Sequence, residues 1–316
     1  MEENLNDKEL FSLIDSKSFD NEKIEAPHYS YWKSVGRVFF KRKINIFILS
    51  LLALVIIFSY IYPLFNEYDA YENILDNAKN LSPFEAIEYY GFNIKWIFGT
   101  GKSGQSIFDN VWHGAKTSLS LALICALINM TIGVIVGAIW GFSKRVDKVM
   151  MEVYNIIGNV PYILFVSVFV LVVGSGFWSF VAALTITGWI SIASFIRTQV
   201  IIIRDREYNL ASKCLGTPTI RLIFKNILPF LTSVIVTVAA TEIPSYISYE
   251  VFLSFIGIGM TADTPSLGRM IQDAQGSFQV FPHAFWAPVC IAAIVTVILY
   301  LVGQGLGDAS DPKSHM

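Results

Sequence analysis

Six apolar segments, at about residues 44 to 65, 117 to 141, 150 to 173, 177 to 198, 229 to 258 and 284 to 307, set the terms on which this chain can fold. Each approaches the ~20 residues an α-helix needs to cross the hydrocarbon core of a bilayer. Inside that core every backbone polar group must bond within its own segment, so the expected fold is an all-α membrane protein with six transmembrane helices. Composition agrees, with 54% hydrophobic and 15% charged residues where soluble domains average roughly 45–50% and 25%. The net charge of −2, with no basic face interleaved with aromatics, gives no sign of a nucleic-acid partner. Cys125, Cys214 and Cys290 lie far apart without a CxxC or metal-ligand neighbour and read as small apolar filler.

The polar opening MEENLNDKEL carries none of the features of a secretory signal, so the first span is expected to be an uncleaved anchor. With the N-terminus in the cytoplasm, 18 of the 23 Lys and Arg residues lie inside, and only Lys79, Lys95, Lys102, Lys116 and Arg269 lie outside. Cationic loops stay on the cytoplasmic side, so both termini are expected there. The domain plan is then a cytoplasmic segment 1–43, a first span 44–65, an extracytoplasmic loop 66–116, a five-helix core 117–307 and a cytoplasmic tail 308–316. Trp140, Trp178 and Trp286 fall near span ends, where an amphipathic ring suits the interface or ordinary packing.

The cytoplasmic loop at about 204–228 contains EYNLASKCLGTPTIRLIFKNILP. Glu207 to Leu215 has the composition of a short helix, with Leu210, Ala211, Cys214 and Leu215 on one apolar stripe. Gly216 is a left-handed stop, Thr217 a candidate N-cap and Pro218 a preset first-turn residue, so a second helix starts almost at once. The stripe needs a surface to pack on, and spacing alone leaves open whether that surface is a protein or lipid headgroups.

Ionisable residues inside the spans are few: Glu152, Glu242 and Glu250. Acids at membrane depth face a bundle interior or water and mark pathways by default. Glu242, Tyr246, Tyr249 and Glu250, with Pro244 among them, are candidates to line a route. The alternative is internal polar pairing between spans, preferred for Glu152. A proton-coupled secondary transporter would place acids or histidines in several spans, and a membrane hydrolase would need a catalytic pair. GTGKSG at 99–104 imitates a phosphate loop, but Trp96 stands where the first glycine is required. His113 and His283 have no ligand partners at metal spacing.

Several stretches carry a family resemblance. Ala211, Gly216, Leu228 and Pro229 resemble the EAA loop of ABC importer permeases, with proline thirteen positions after glycine. NIKWIFGTGKSGQSIFDNVWHGAKTSL (93–119), YEVFLSFIGIGMTADTPSLGRMI (249–271) and VGQGLGDASDPK (302–313) look like the corresponding segments of peptide permeases. With WKSVGRVFFKRKINIFIL (32–49), the likeness extends nearly end to end. The chain is similar to the C-type, or second, permease subunit of bacterial oligopeptide and dipeptide ABC importers. It departs at Leu210, where the loop's Glu would stand, and at Gly101, Gln105, Ser106 and Ser212.

That resemblance implies a type I importer permease in the bacterial plasma membrane, non-catalytic, carrying oligopeptides; dipeptides or metal chelates are the alternative cargo. It implies a homologous permease as heterodimer partner, two ATPase subunits that bind Mg-ATP, an extracytoplasmic peptide-binding protein, and no cofactor in this chain. It also implies that Glu207, Tyr208, Leu210, Ala211, Leu215, Gly216, Thr217 and Pro218 form the knob that couples to the ATPase, and that Glu242, Tyr246, Tyr249 and Glu250 line the pathway.

Overall fold

The computed structural model describes residues 30–66, 78–261 and 263–311. The acidic N-terminal stretch, most of the NEYDAYENILDNAKN segment and the last five residues lie outside them. The described residues form α1 (Tyr31–Lys41), α2 (Lys43–Phe65), α3 (Pro83–Tyr90), α4 (Ile107–Phe142), α5 (Lys144–Gly158), α6 (Tyr162–Val173) and α7 (Phe177–Ile186). There follow α8 (Trp189–Arg204), α9 (Glu207–Cys214), α10 (Thr219–Phe230), α11 (Thr232–Phe255), α12 (Leu267–Gln275) and α13 (Pro282–Ser310).

Four stretches are long and apolar enough to cross a membrane unaided: α2, α4, α7 with α8, and α13. Two bent pairs, α5 with α6 at 73° and α10 with α11 at 69°, bring the number to six when each pair counts as one span. The six-span expectation therefore holds, with corrected boundaries. The second helix starts at Ile107, ten residues inside the expected outer loop, because the Ser106 hydroxyl caps the Asp109 N–H at 3.2 Å. The third breaks at Asn159–Pro161, where proline lacks the N–H needed to carry the helix through.

α4 is the spine, 36 residues long. Its Gly133, Gly137 and Gly141 fall on one face and let α8 approach closely: a Cβ at Gly137 would lie 2.5 Å from the Ala193 carbonyl oxygen. The main core gathers Leu121 and Cys125 of α4, Val166 and Val170 of α6, Phe180 and Leu184 of α7, Ile247 and Leu253 of α11, and Val295 of α13. On α13, Gly303 sits against Ala240, whose carbonyl lost its helical donor to Pro244 four residues on.

Residues 78–106 of the segment between α2 and α4 fold back on themselves. A capping box between Ser82 and Glu85 starts α3, and those Ser82 donors hold the Glu85 carboxyl below its ordinary range. Thr100 is fully buried, donating to the Ala78 carbonyl at 2.7 Å and accepting from the Leu81 N–H at 2.8 Å. GTGKSG is a turn closed by the bridge between Thr100 and Ser106, and Lys102 reaches the Asp273 carbonyl of α12. His113 and His283 each face a backbone carbonyl, of Asn66 and Thr100. Trp140 is no interfacial anchor: it is fully buried and donates to Asp147 at 2.7 Å. Trp178 and Trp286 are exposed, and Glu152 is exposed rather than paired inside.

Candidate functional site: a surface knob and two polar clusters

The knob forms as a helix, a stop and a second helix. α9 ends in a Schellman turn, in which the Gly216 N–H reaches the Lys213 carbonyl at 3.0 Å and the Thr217 N–H reaches the Ser212 carbonyl at 3.1 Å. Gly216 has φ +81°, the left-handed conformation expected of it. The capping assignment needs correction: Pro218, not Thr217, occupies the N-cap position of α10, with φ −65° and ψ 144° and no side-chain cap. Proline excludes the helical conformation at the residue before it, so Thr217 stays in the turn.

The apolar stripe is turned outward. Leu215 is 87% exposed and Leu210 45%, and Glu207, Ala211 and Cys214 are exposed as well. Tyr208 stacks on Phe230, ring centroids 5.6 Å apart, which holds α9 against α10. Sequence reasoning missed the inner side. Asn209 is buried and donates to the Ile203 carbonyl at 2.9 Å, fixing α9 to the end of α8.

A second unanticipated group lies beside the knob. Arg197 of α8 grips Asp147 of α5 through two hydrogen bonds of 2.5 and 3.0 Å. Its guanidinium also lies 5.5 Å from the centroid of the Trp140 ring. Arg204, one residue before the turn into the knob, donates to the Gly141 carbonyl at 2.6 Å. The ends of α4, α5 and α8 are thereby tied at the point where α9 leaves.

Deeper in the bundle, residues of four spans meet in one polar cluster around the Leu184 carbonyl. The Leu184 oxygen, at the break between α7 and α8, accepts from Tyr162 Oη at 2.8 Å and from Asn129 Nδ2 at 3.0 Å. Asn129 Nδ2 also donates to Tyr246 Oη at 2.7 Å, and Glu242 lies one helical turn before Tyr246 on α11. Tyr249 packs edge-on against Tyr162, centroids 5.3 Å apart. Gly188 makes this possible, because a Cβ there would lie 2.6 Å from Asn129 Nδ2. Glu242 and Tyr249 are half-buried, whereas Tyr246 is 1% exposed.

Glu250 does not join that cluster. It is fully buried in a cage of serines, with Ser118 Oγ donating to Oε2 at 2.9 Å and Ser254 and Ser266 donating to Oε1 at 3.0 and 2.6 Å. Gly268 packs close beside it, where a Cβ would lie 2.7 Å from Oε1. Ser266 caps α12 by accepting from the Arg269 N–H at 3.1 Å, and Ser118 accepts from the Leu267 N–H at 3.2 Å. The carboxyl thus joins α4, α11 and the start of α12, a closed arrangement with every serine engaged.

This geometry pairs an outward-facing apolar knob with a bundle of broken spans. Residues 129–315 match the family model described as the binding-protein-dependent transport system inner membrane component, and residues 30–83 match the N-terminal TM domain of oligopeptide transport permease C. The chain is 46% identical to the oligopeptide transport system permease protein AmiD of Streptococcus pneumoniae, over 98% of each chain. It belongs to the binding-protein-dependent transport permeases. It is also 35% identical to the oligopeptide transport system permease protein OppC of Bacillus subtilis, over 97% of each chain. With the dipeptide transport system permease protein DppC of the same organism it shares 32%, over 96% of this chain and 93% of the relative. This permease is accordingly a multi-pass membrane protein of all-α fold, and its relatives are permease subunits of transport systems.

Proposed function

We propose that this permease is one transmembrane half of an ATP-driven oligopeptide importer, oriented with both termini in the cytoplasm. The observation that carries this reading is the 46% identity to an oligopeptide transport permease along 98% of both chains. The knob supports it, since among the described residues α9 leaves Leu215 87% and Leu210 45% exposed. In the complete machine a second permease faces this one, two ATPase subunits bind Mg-ATP, and an extracytoplasmic protein delivers peptide. Closure of the ATPases pulls on the knob and shifts the spans between inward-open and outward-open states.

Within the bundle, Glu242 and Tyr249 line the route, with Tyr246 holding them through Asn129. Peptide backbones passing such a surface exchange water for hydroxyl and carboxylate partners at modest cost. Glu250 is withdrawn from the route by its serine cage and acts by holding α12 in place. The test is peptide uptake into proteoliposomes holding both permeases and both ATPases, with the binding protein and peptide outside. Uptake that requires internal ATP and persists without a proton gradient is expected. Uptake driven by a proton gradient alone would overturn the reading and favour a secondary transporter.

A further inference from the structure

α1 carries three different surfaces side by side. At about 100° per residue, successive stripes follow one another round the helix. Val35 and Phe39, 2% and 6% exposed, face the end of α13 and pack with Ala309. Tyr31 Oη donates to the Ser310 carbonyl at 2.8 Å on the same side. The next stripe is Trp32, Gly36 and Phe40, with Trp32 59% and Phe40 55% exposed. Beside it runs Lys33, Arg37 and Lys41, all exposed and none in an ion pair among the described residues.

The position of α1 is fixed by its neighbours. A single extended residue, Arg42 at φ −87° and ψ 113°, separates it from α2, so α1 departs from the line of the first span where that span begins. Asn45 Nδ2 donates back to the Phe39 carbonyl at 3.1 Å, and Arg42 bonds Asp308 at 3.0 Å. A helix joined in this way to the first residue of an apolar span belongs where acyl chains give way to headgroups. An aromatic stripe flanked by a cationic one matches that boundary, rings toward the chains and ammonium and guanidinium groups toward phosphates.

We propose that Trp32 and Phe40, with Lys33, Arg37 and Lys41, form a binding surface for anionic phospholipid headgroups. The charge complementarity and the continuity of α1 with a membrane span select lipid over a soluble partner. Lipid held there keeps α1 seated on α13, and so clamps the start of the first span to the end of the last. The competing occupant is the chain's own N-terminal stretch, which carries eight acids against three lysines by residue 25.

The experiment uses the full-length permease in its assembled complex, in nanodiscs of phosphatidylcholine alone or with phosphatidylglycerol added. Amide hydrogen exchange of residues 31–41 is read by mass spectrometry. Exchange several-fold slower with phosphatidylglycerol is expected, and the difference should shrink as salt is raised. Neutralisation by Lys33→Gln, Arg37→Gln and Lys41→Gln together should abolish it. The lipid comparison on the unaltered chain needs no variant and stands if that variant assembles poorly. Equal exchange in both lipids defeats the proposal. So does protection that is insensitive to phosphatidylglycerol but lost when residues 2–25 are deleted, which would give the surface to the tail.

Discussion

Glu250 shows how a single side chain's role turns on its partners. Three serine hydroxyls converge on a carboxyl with no exposed surface. Glu250→Leu leaves them without their acceptor, at a cost of about 1–3 kcal/mol for each buried group stranded. The yield of assembled complex should fall sharply. Glu250→Gln retains the shape and should lower uptake of cationic, neutral and anionic peptides alike; loss confined to cationic peptides would return Glu250 to the pathway. Gly216 is the opposite case, with left-handed backbone but no atom within 4 Å of an added Cβ. Gly216→Val should cost about 1–2 kcal/mol in backbone strain without a clash inside the chain. Peptide imported per ATP hydrolysed should drop, and an unchanged ratio would show that the turn's shape is immaterial to coupling.

At the scale of helices, the Asp147–Arg197 pair straps α5 to α8, and α8 leads directly into the knob. Asp147→Asn weakens two bonds to a charged group, each worth about 1.5–3 kcal/mol, and should raise ATP hydrolysis without peptide while slowing import. Exchanging the charges, Asp147→Arg with Arg197→Asp, should restore part of the coupling; if the double variant is no better than the singles, the strap is not a pairwise device. Nothing in the sequence pointed to this pair, because its members lie 50 residues apart and each reads as an ordinary loop-end charge. The spans themselves were legible, since length and apolarity suffice to mark them. Their bends were less so: Gly158, Asn159 and Pro161 mark the break in the third span, but around Leu231 apolar composition runs on through Ile227–Leu231, and the size of a bend depends on which carbonyls lose their donors. Gly216 was legible because its conformation is a local demand. The Glu250 cage was not, because Ser118 and Ser266 reach it from separate elements, and a lone acid in a span looks alike whether caged or facing water.

For the whole molecule, the burial pattern separates surfaces that hold the chain together from one that has no such duty. Asn209, Leu222 and Ile227 are buried at the base of the knob, while Leu215 at its tip is 87% exposed. A fold supported by the former should not notice the loss of the latter. Leu215→Ser should therefore change the thermal stability of the isolated permease by no more than about 0.5 kcal/mol, the range for exposed positions remote from packing. The proposed complex with ATPase subunits should respond differently, because an apolar tip of this size contributes roughly 1.5–3 kcal/mol when fully covered by a partner. A 1.4 kcal/mol loss is already tenfold in affinity, so ATPase subunits should wash off the variant at concentrations where they stay on the wild type. Asn209→Ala should do the reverse, loosening the base first and lowering stability even with no ATPase present. Co-purification and thermal unfolding of both variants, measured on the same preparations, separate the two roles. If Leu215→Ser retains its ATPases as firmly as the wild type, α9 is not the surface they grip.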